Sequence, residues 1–123
     1  MDIEQSKQIS NVRYLATKII HEITEEKAYA NIALEKGLKD SDLEQIDKSL
    51  ITEIVNGTIR MLKHLDWVLN LFLTKPVDKL HPWIKTILRM SLYQIMFMDK
   101  IPNYASVNDA VNIARKKTNQ NLS

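Results

Sequence analysis

Apolar residues recur along the chain at helical spacing. Near the N-terminus they fall three and four residues apart, which predicts an amphipathic helix over residues 10–24. Its buried stripe would comprise Val12, Leu15, Ala16, Ile19, Ile20 and Ile23. A second, short helix is predicted over residues 28–36, and Gly37 stands where the C-terminus of a helix favours a left-handed residue.

The longest periodic stretch covers residues 43–72. Ser41-Asp42-Leu43-Glu44 matches a capping box at its start. Because the stretch is long for one helix of a globular protein, we expect two helices with a break between Lys63 and Asp66. Asp66 is then the N-cap of the second helix. Pro76 ends the stretch, since proline disfavours helical geometry in the residue before it.

A further helix is predicted to begin at His81-Pro82, because proline is favoured at the first helical position. Its wide apolar stripe predicts a central helix and comprises Ile84, Ile87, Leu88, Ser91, Leu92, Ile95 and Met96. Ser106-Val107-Asn108-Asp109 resembles a second capping box, and it opens a last helix that ends at residues 115–117. The pattern predicts a compact all-α bundle of about six helices, with residues 1–123 forming one domain.

Composition excludes several classes of chemistry. The chain has no cysteine, which rules out a disulfide, a zinc knuckle or a cysteine nucleophile within it. Its 2 glycines disfavour a glycine-rich phosphate loop, and its three histidines lack the spacing of zinc sites, so we expect no bound metal. No segment approaches the roughly 20 apolar residues of a membrane span, and residues 1–10 do not resemble a signal peptide. We therefore expect a soluble, cytoplasmic protein without membrane contact.

Charge is distributed unevenly along the chain. Residues 1–56 hold 7 basic and 11 acidic side chains, whereas residues 57–123 hold 10 basic and 4 acidic ones. A basic half fits contact with a polyanion such as RNA, although an ordinary mixed surface would give the same count. The candidate phosphate-binding residues are Arg13, Arg60, Lys63, Lys85, Arg89, Arg115, Lys116 and Lys117.

Some of these candidates have a structural alternative. The cations at residues 115–117 also complement the dipole at the end of a helix. Arg89 lies on the predicted central helix, so it could instead be buried and paired with Asp66 or Asp109.

Two further patterns in the chain are open to a structural or a functional interpretation. Arg13, Thr17 and His21 share the polar side of the first helix, which could be a contact surface or a solvated face. Trp67 and Trp83 could stack on bases, but their apolar surroundings favour a role in the core or in a groove.

Several motifs, in order, resemble the signature of NusB-like domains. They are residues 30–34 (ANIAL), 52–60 (TEIVNGTIR), 65–66 (LD), 87–95 (ILRMSLYQI), 97–102 (FMDKIP) and 104–111 (YASVNDAV). The resemblance covers residues 11–117 and implies an all-α, RNA-binding fold.

Two branches of this family are similar to the chain. The sequence of residues 31–34, 93–94 and 97–102 resembles the N-terminal domain of the RsmB (Sun, Fmu) 16S ribosomal-RNA cytosine-C5 methyltransferases. The other branch, the antitermination factor NusB, has an arginine-rich first helix, of which only Arg13 is matched here. The resemblance thus favours an accessory domain that helps to position ribosomal RNA. A NusB-type antitermination factor and a helical protein-interaction module are the alternatives.

The resemblance also bears on cofactors and partners. It implies S-adenosylmethionine and a catalytic cysteine in a C-terminal methyltransferase domain of the same polypeptide, so we expect no cofactor and no methyl transfer in this chain alone. Family members continue with a further helix where this chain ends at Ser123. We therefore expect a piece of a longer protein, with an exposed apolar groove on the central helix that promotes self-association.

Overall fold

The structure is a computed structural model that describes residues 3–98 and 110–117, with side chains from residue 11 onward. In these ranges the chain forms α-helices and no strand, which confirms the predicted all-α class of about six helices. The elements are α1 (Ile3–Glu25), α2 (Ala30–Lys39), α3 (Gln45–Arg60), α4 (Leu62–Phe72), a 3-10 turn (Val77–Lys79), α5 (Pro82–Phe97) and a helical segment over residues 110–117.

Helices α1, α3 and α5 pack against one another and form the centre of the bundle. Helix α2 covers one side of α1 and α3, while α4 packs on α5 and α3. The predicted stripe of α1 is largely confirmed, because its buried members face this core. The side chains of the core with no exposed surface are Ala16, Ile20, Ile51, Ile54, Val55, Leu65 and Met90.

The buried face of α5 differs from the predicted stripe. Ile95 and Met96 are 39% and 38% exposed, whereas Met90, Tyr93 and Gln94 are buried. The pattern of apolar residues fails here because the face of α5 that meets α1 carries the buried amide of Gln94. An amphipathic pattern ranks such a residue as solvent-facing although a hydrogen bond satisfies it.

Several predicted helix boundaries are wrong. Helix α3 begins at Gln45 without a side-chain cap, because Ser41 Oγ donates to the carbonyl oxygen of Leu38 instead of capping. The break between α3 and α4 falls at Met61, ahead of the predicted position. Asp66 therefore lies inside α4 and is not an N-cap. The second predicted capping box, residues 106–109, lies outside the described residues.

The entry to α5 is confirmed. Pro82 occupies the first helical position, and His81 Nδ1 accepts a hydrogen bond from the backbone N–H of Trp83 at 3.2 Å. This bond satisfies one of the donors that every helix N-terminus leaves unpaired.

The left-handed residue predicted at Gly37 is instead Lys27, with φ 61°, two residues after the end of α1. The N–H of Ala28 donates to the carbonyl oxygen of Glu22 at 3.0 Å, which turns the chain back onto the last turn of α1. Gly37 lies within α2 and has no positive φ. A Cβ there would stand 2.7 Å from Cδ1 of Ile19, so glycine allows α2 to approach α1 closely.

Candidate nucleic-acid interface

The first candidate, Arg13, is buried and not on a surface. Its Nε donates to Oε1 of Gln94 on α5 at 2.8 Å, and the residue is 4% exposed. Thr17 is also fully buried, and its hydroxyl donates to the backbone carbonyl of Arg13 at 2.7 Å. The predicted contact surface of Arg13, Thr17 and His21 is therefore wrong for the first two, which form a polar seam between α1 and α5. A basic residue in such a seam stabilises the core.

Arg89 is buried and paired with a carboxylate and does not lie on the surface as a phosphate-binding residue. Its guanidinium donates twice to the carboxylate of Asp66, from Nε to Oδ1 and from Nη2 to Oδ2, each at 2.7 Å. The Arg89 side chain is 6% exposed, so the pair is a largely desolvated link between α4 and α5. The predicted pairing of Arg89 with Asp66 is confirmed.

Lys85 is also paired with a carboxylate. Its ammonium lies 2.8 Å from Oε1 of Glu25 at the end of α1, and both side chains are mostly buried. This ion pair joins the start of α5 to α1 and neutralises the charge of Lys85. Lys85 thus contributes less positive potential to the surface than the sequence indicates.

A group of three lysines surrounds Tyr14, and we name it the Tyr14 junction. It consists of Tyr14, Lys18, Lys116 and Lys117, brought together from α1 and the segment 110–117. The ammonium groups of Lys116 and Lys117 lie 4.4 Å and 4.9 Å from the centroid of the Tyr14 ring. Such contacts between a cation and an aromatic face are attractive.

The electrostatics of the junction act on the Tyr14 hydroxyl. A hydrogen bond from Lys117 lowers the pKa of Tyr14 below its ordinary value, and the charges of Lys117, Lys116 and Lys18 lower it further against the opposing effect of burial. Three lysines close to one phenol create a site of positive potential. Lys18 and Lys116 are exposed, so this potential reaches solvent.

Trp83 adjoins the Tyr14 junction, but both of its faces are occupied. The His21 ring stacks on the indole with centroids 3.7 Å apart and planes 8° from parallel. The ammonium of Lys117 lies 4.2 Å from the centroid of the Trp83 ring. Trp83 therefore anchors the segment 110–117 to α1 and α5 and offers no face to a base. The expected groove role fits Trp83 better than base stacking.

The remaining candidates are exposed. Arg60 ends α3 and Lys63 lies in the first turn of α4, so the break at Met61 separates the two residues that the sequence predicts as neighbours on one helix. Arg115 is exposed on the segment 110–117. Trp67 is 61% exposed on α4, so its expected place in the core is wrong.

An open groove of about 620 Å³ lies along α3 next to Arg60. Asn56, Glu53 and Lys48 give its walls hydrogen-bonding groups, and Tyr93 contributes from α5. Tyr93 packs directly over Gly57, where any Cβ would overlap its ring. The groove therefore exists because glycine lets an aromatic side chain of α5 lie flush against α3.

Two features of the described part of the chain bear on other functions. No three histidine, aspartate or glutamate side chains there are grouped so that they could hold a metal ion. None of the helices described combines the length and the apolar character that crossing a membrane requires.

Comparisons with known proteins give relatives of two kinds. The chain is 36% identical over 106 residues to the probable ribosomal RNA small subunit methyltransferase B of Bacillus subtilis, which covers 86% of this chain and 24% of that protein. A protein of the same name from Synechocystis is 29% identical over 92% of this chain and 25% of its own length. The chain therefore spans about a quarter of these methyltransferases.

The second kind of relative is of similar size to the chain. The transcription antitermination protein NusB of Clostridium novyi is 35% identical over 112 residues, which cover 89% of this chain and 84% of that protein. The model of the NusB family matches residues 10–123. This match includes every described element except the start of α1, and the chain belongs to the NusB family.

Proposed function

We propose that this chain is an RNA-binding domain that holds ribosomal RNA of the small subunit for a methyltransferase. The observation that carries the proposal is the convergence of Lys18, Lys116 and Lys117 on Tyr14. The names of the Bacillus subtilis and Synechocystis relatives support the substrate class.

The Tyr14 junction suits phosphate contact for a physical reason. Lys18 and Lys116 lie on different helical elements, so their ammonium groups can reach different phosphates of one backbone. Lys117 is held by Tyr14 and Trp83 and keeps the segment 110–117 in place. Lysines bind phosphate as point charges and release condensed counterions, which gives affinity without reading sequence.

In this proposal, the chain performs no chemistry itself. Methylation at C5 of cytosine uses a cysteine nucleophile, and these 123 residues contain none. The catalytic cysteine and the S-adenosylmethionine site would belong to a methyltransferase domain of the same polypeptide. The domain described here would raise the local concentration of RNA at that catalytic domain.

A second candidate is an antitermination factor of the NusB type. The observation in its favour is the Clostridium novyi protein, which is similar in identity and is covered over 84% of its length. The coding sequence that surrounds this chain distinguishes the two candidates. Several hundred further codons for a cysteine-bearing methyltransferase fold support the first, and a stop codon shortly after the NusB domain supports the second.

RNA binding itself is tested with the chain and fragments of 16S ribosomal RNA at two salt concentrations. We expect affinity to fall steeply as salt rises, because phosphate contacts release counterions. If the chain does not bind RNA even at low salt, the proposal is overturned and a module that binds proteins only is favoured.

A further inference from the structure

A stripe of polar and aromatic side chains lies on the outer face of α4, and it shares no residue with the Tyr14 junction. Lys63, His64 and Trp67 lie on α4, and Arg60 lies at the end of α3, three positions before Lys63 and across the break at Met61; all four are exposed. The interval of four residues places Lys63 and Trp67 on the same face of α4. We name these four residues the α4 stripe.

The cation that α4 itself contributes, Lys63, has no free carboxylate on its own helix. Helix α4 contains one carboxylate, that of Asp66, and it is held by two hydrogen bonds to Arg89. Lys63 therefore presents its charge to solvent on the same face as the indole of Trp67, and Arg60 adds a second exposed cation at the end of α3. Positive charge next to exposed aromatic rings is typical of surfaces that bind single-stranded nucleic acid.

The two tryptophans of the chain differ in the surface they offer. Trp83 has His21 on one face and the Lys117 ammonium on the other. Trp67 is 61% exposed, and its one described ring partner, His64, is 6.1 Å away between centroids. A contact at that distance is loose, so a face of Trp67 remains open to a flat ligand.

A second aromatic ring borders the stripe. Phe97 at the end of α5 is 42% exposed and meets the edge of His64 at 6.4 Å between centroids. Behind it, Tyr93 packs on Phe97 at 5.4 Å and is itself buried. The exposed rings thus rest on a core residue, and a rigid support reduces the entropy that a stacked ligand must overcome.

We propose that the α4 stripe binds unpaired RNA, with a base stacked on Trp67 and the neighbouring phosphates contacted by Lys63 and Arg60. Four residues separate Lys63 from Trp67, a rise of about 6 Å along α4 that is comparable to the distance between a phosphate and the base of the same nucleotide. The proposal rests on the proposed RNA binding and adds a separate contact surface for it on α4, which a duplex cannot use because its bases stay stacked and cannot reach Trp67.

The test uses the Trp83→Phe variant, whose remaining indole is Trp67, and oligouridine of about ten nucleotides. We expect the oligonucleotide to quench the fluorescence of Trp67. Trp67→Ala in the wild-type chain should weaken binding roughly five-fold to a hundredfold, the range for loss of one base–aromatic stack, and Trp67→Phe should retain most of the affinity.

Leu71→Ala is the matched control, because Leu71 lies one turn further along α4 and is 62% exposed. It should leave the affinity for oligouridine unchanged, since leucine has no ring on which a base can stack. Arg60→Gln with Lys63→Gln should flatten the plot of log affinity against log salt by about 1.4, at roughly 0.7 for each phosphate contact to a single strand.

The outcomes separate this proposal from the proposed function. Salt-sensitive RNA binding that Trp67→Ala leaves intact overturns the α4 stripe and keeps the RNA-binding function. Loss of all RNA binding in the wild-type chain overturns both. Light scattering could also show a dimer that Trp67→Ala converts to a monomer, while the affinity for oligouridine stays unchanged. That result would assign this face of α4 to a second copy of this chain and overturn the proposal.

Discussion

Asp66 on α4 and Arg89 on α5 are joined by two parallel hydrogen bonds of 2.7 Å in a largely buried setting. This pair fixes the position of α4 on the central helix and removes Arg89 from the set of surface cations. The role of Asp66 is therefore to pair with Arg89 and not to cap a helix.

Replacing Asp66 with asparagine should lower the free energy of unfolding by about 3 kcal/mol, because the substitution leaves the guanidinium of Arg89 desolvated without a carboxylate. Urea unfolding followed by circular dichroism measures the change. Asp78→Asn is the control, since Asp78 is an exposed carboxylate on the 3-10 turn. Equal unfolding midpoints for the two variants would contradict the structural role of the pair.

The two glycines should respond differently to alanine. At Gly57 a Cβ would overlap the ring of Tyr93, which is buried and cannot swing away. We expect Gly57→Ala to destabilise the protein by about 1–3 kcal/mol, the usual range for overpacking.

Gly37→Ala should destabilise the protein less. Its Cβ would stand 2.7 Å from Cδ1 of Ile19, a smaller overlap than the one with Tyr93, and alanine gains up to about 1 kcal/mol over glycine inside a helix. Thermal unfolding of the two variants side by side tests the comparison. A Gly57→Ala protein as stable as Gly37→Ala would show that Tyr93 does not lie flush on α3.

Tyr14 should ionise at a lower pH than an ordinary tyrosine. Its pKa is lowered in the folded protein, so the native state binds fewer protons than the unfolded state between the lowered value and the ordinary 10.0. The Tyr14 contribution to stability is therefore fully present above the ordinary pKa and is lost as the pH falls through the lowered one.

Titration of tyrosinate absorbance, with Tyr14→Phe to assign the transition, measures this pKa. Lys117→Met should raise it more than Lys18→Met does, because Lys117 adds a hydrogen bond to its charge. Identical titrations of the two lysine variants would contradict the described geometry of the Tyr14 junction.

Arg13 should affect stability and not the salt dependence of RNA binding. Arg13→Met removes the hydrogen bond that Nε donates to Oε1 of buried Gln94, and a hydrogen bond to a charged group contributes about 1.5–3 kcal/mol. Unfolding by urea should show that loss, whereas the slope of RNA affinity against salt should equal that of the wild type. If the folded variant gives a flatter slope of log affinity against log salt, Arg13 contacts phosphate, as the sequence predicts.

The sequence predicted the elements that depend on apolar spacing and on proline. The stripe of α1 and the start of α5 at Pro82 follow from such local rules, and both agree with the structure. The boundary at Met61 was missed because apolar residues continue at helical spacing across it. The chain changes direction at Met61 although no proline or glycine stands at that position.

The candidate site was predictable only in part, for a different reason. Sequence identifies a residue as basic, but burial and pairing depend on residues distant in the chain, such as Gln94 for Arg13 and Glu25 for Lys85. The Tyr14 junction likewise joins residues about a hundred positions apart. The α4 stripe carried a local signal in Lys63 and Trp67, which stand four residues apart on one helix.

The measurement that tests RNA binding at the Tyr14 junction most directly compares two double variants that lose the same charge. Lys18→Gln with Lys116→Gln removes the exposed cations of the junction, and Lys36→Gln with Lys39→Gln removes two exposed lysines of α2. For a fragment of 16S ribosomal RNA, the first should flatten the slope of log affinity against log salt by about 1.4–1.8, and the second should leave it nearly unchanged. Equal slopes for the two variants would contradict the junction as the site of RNA contact.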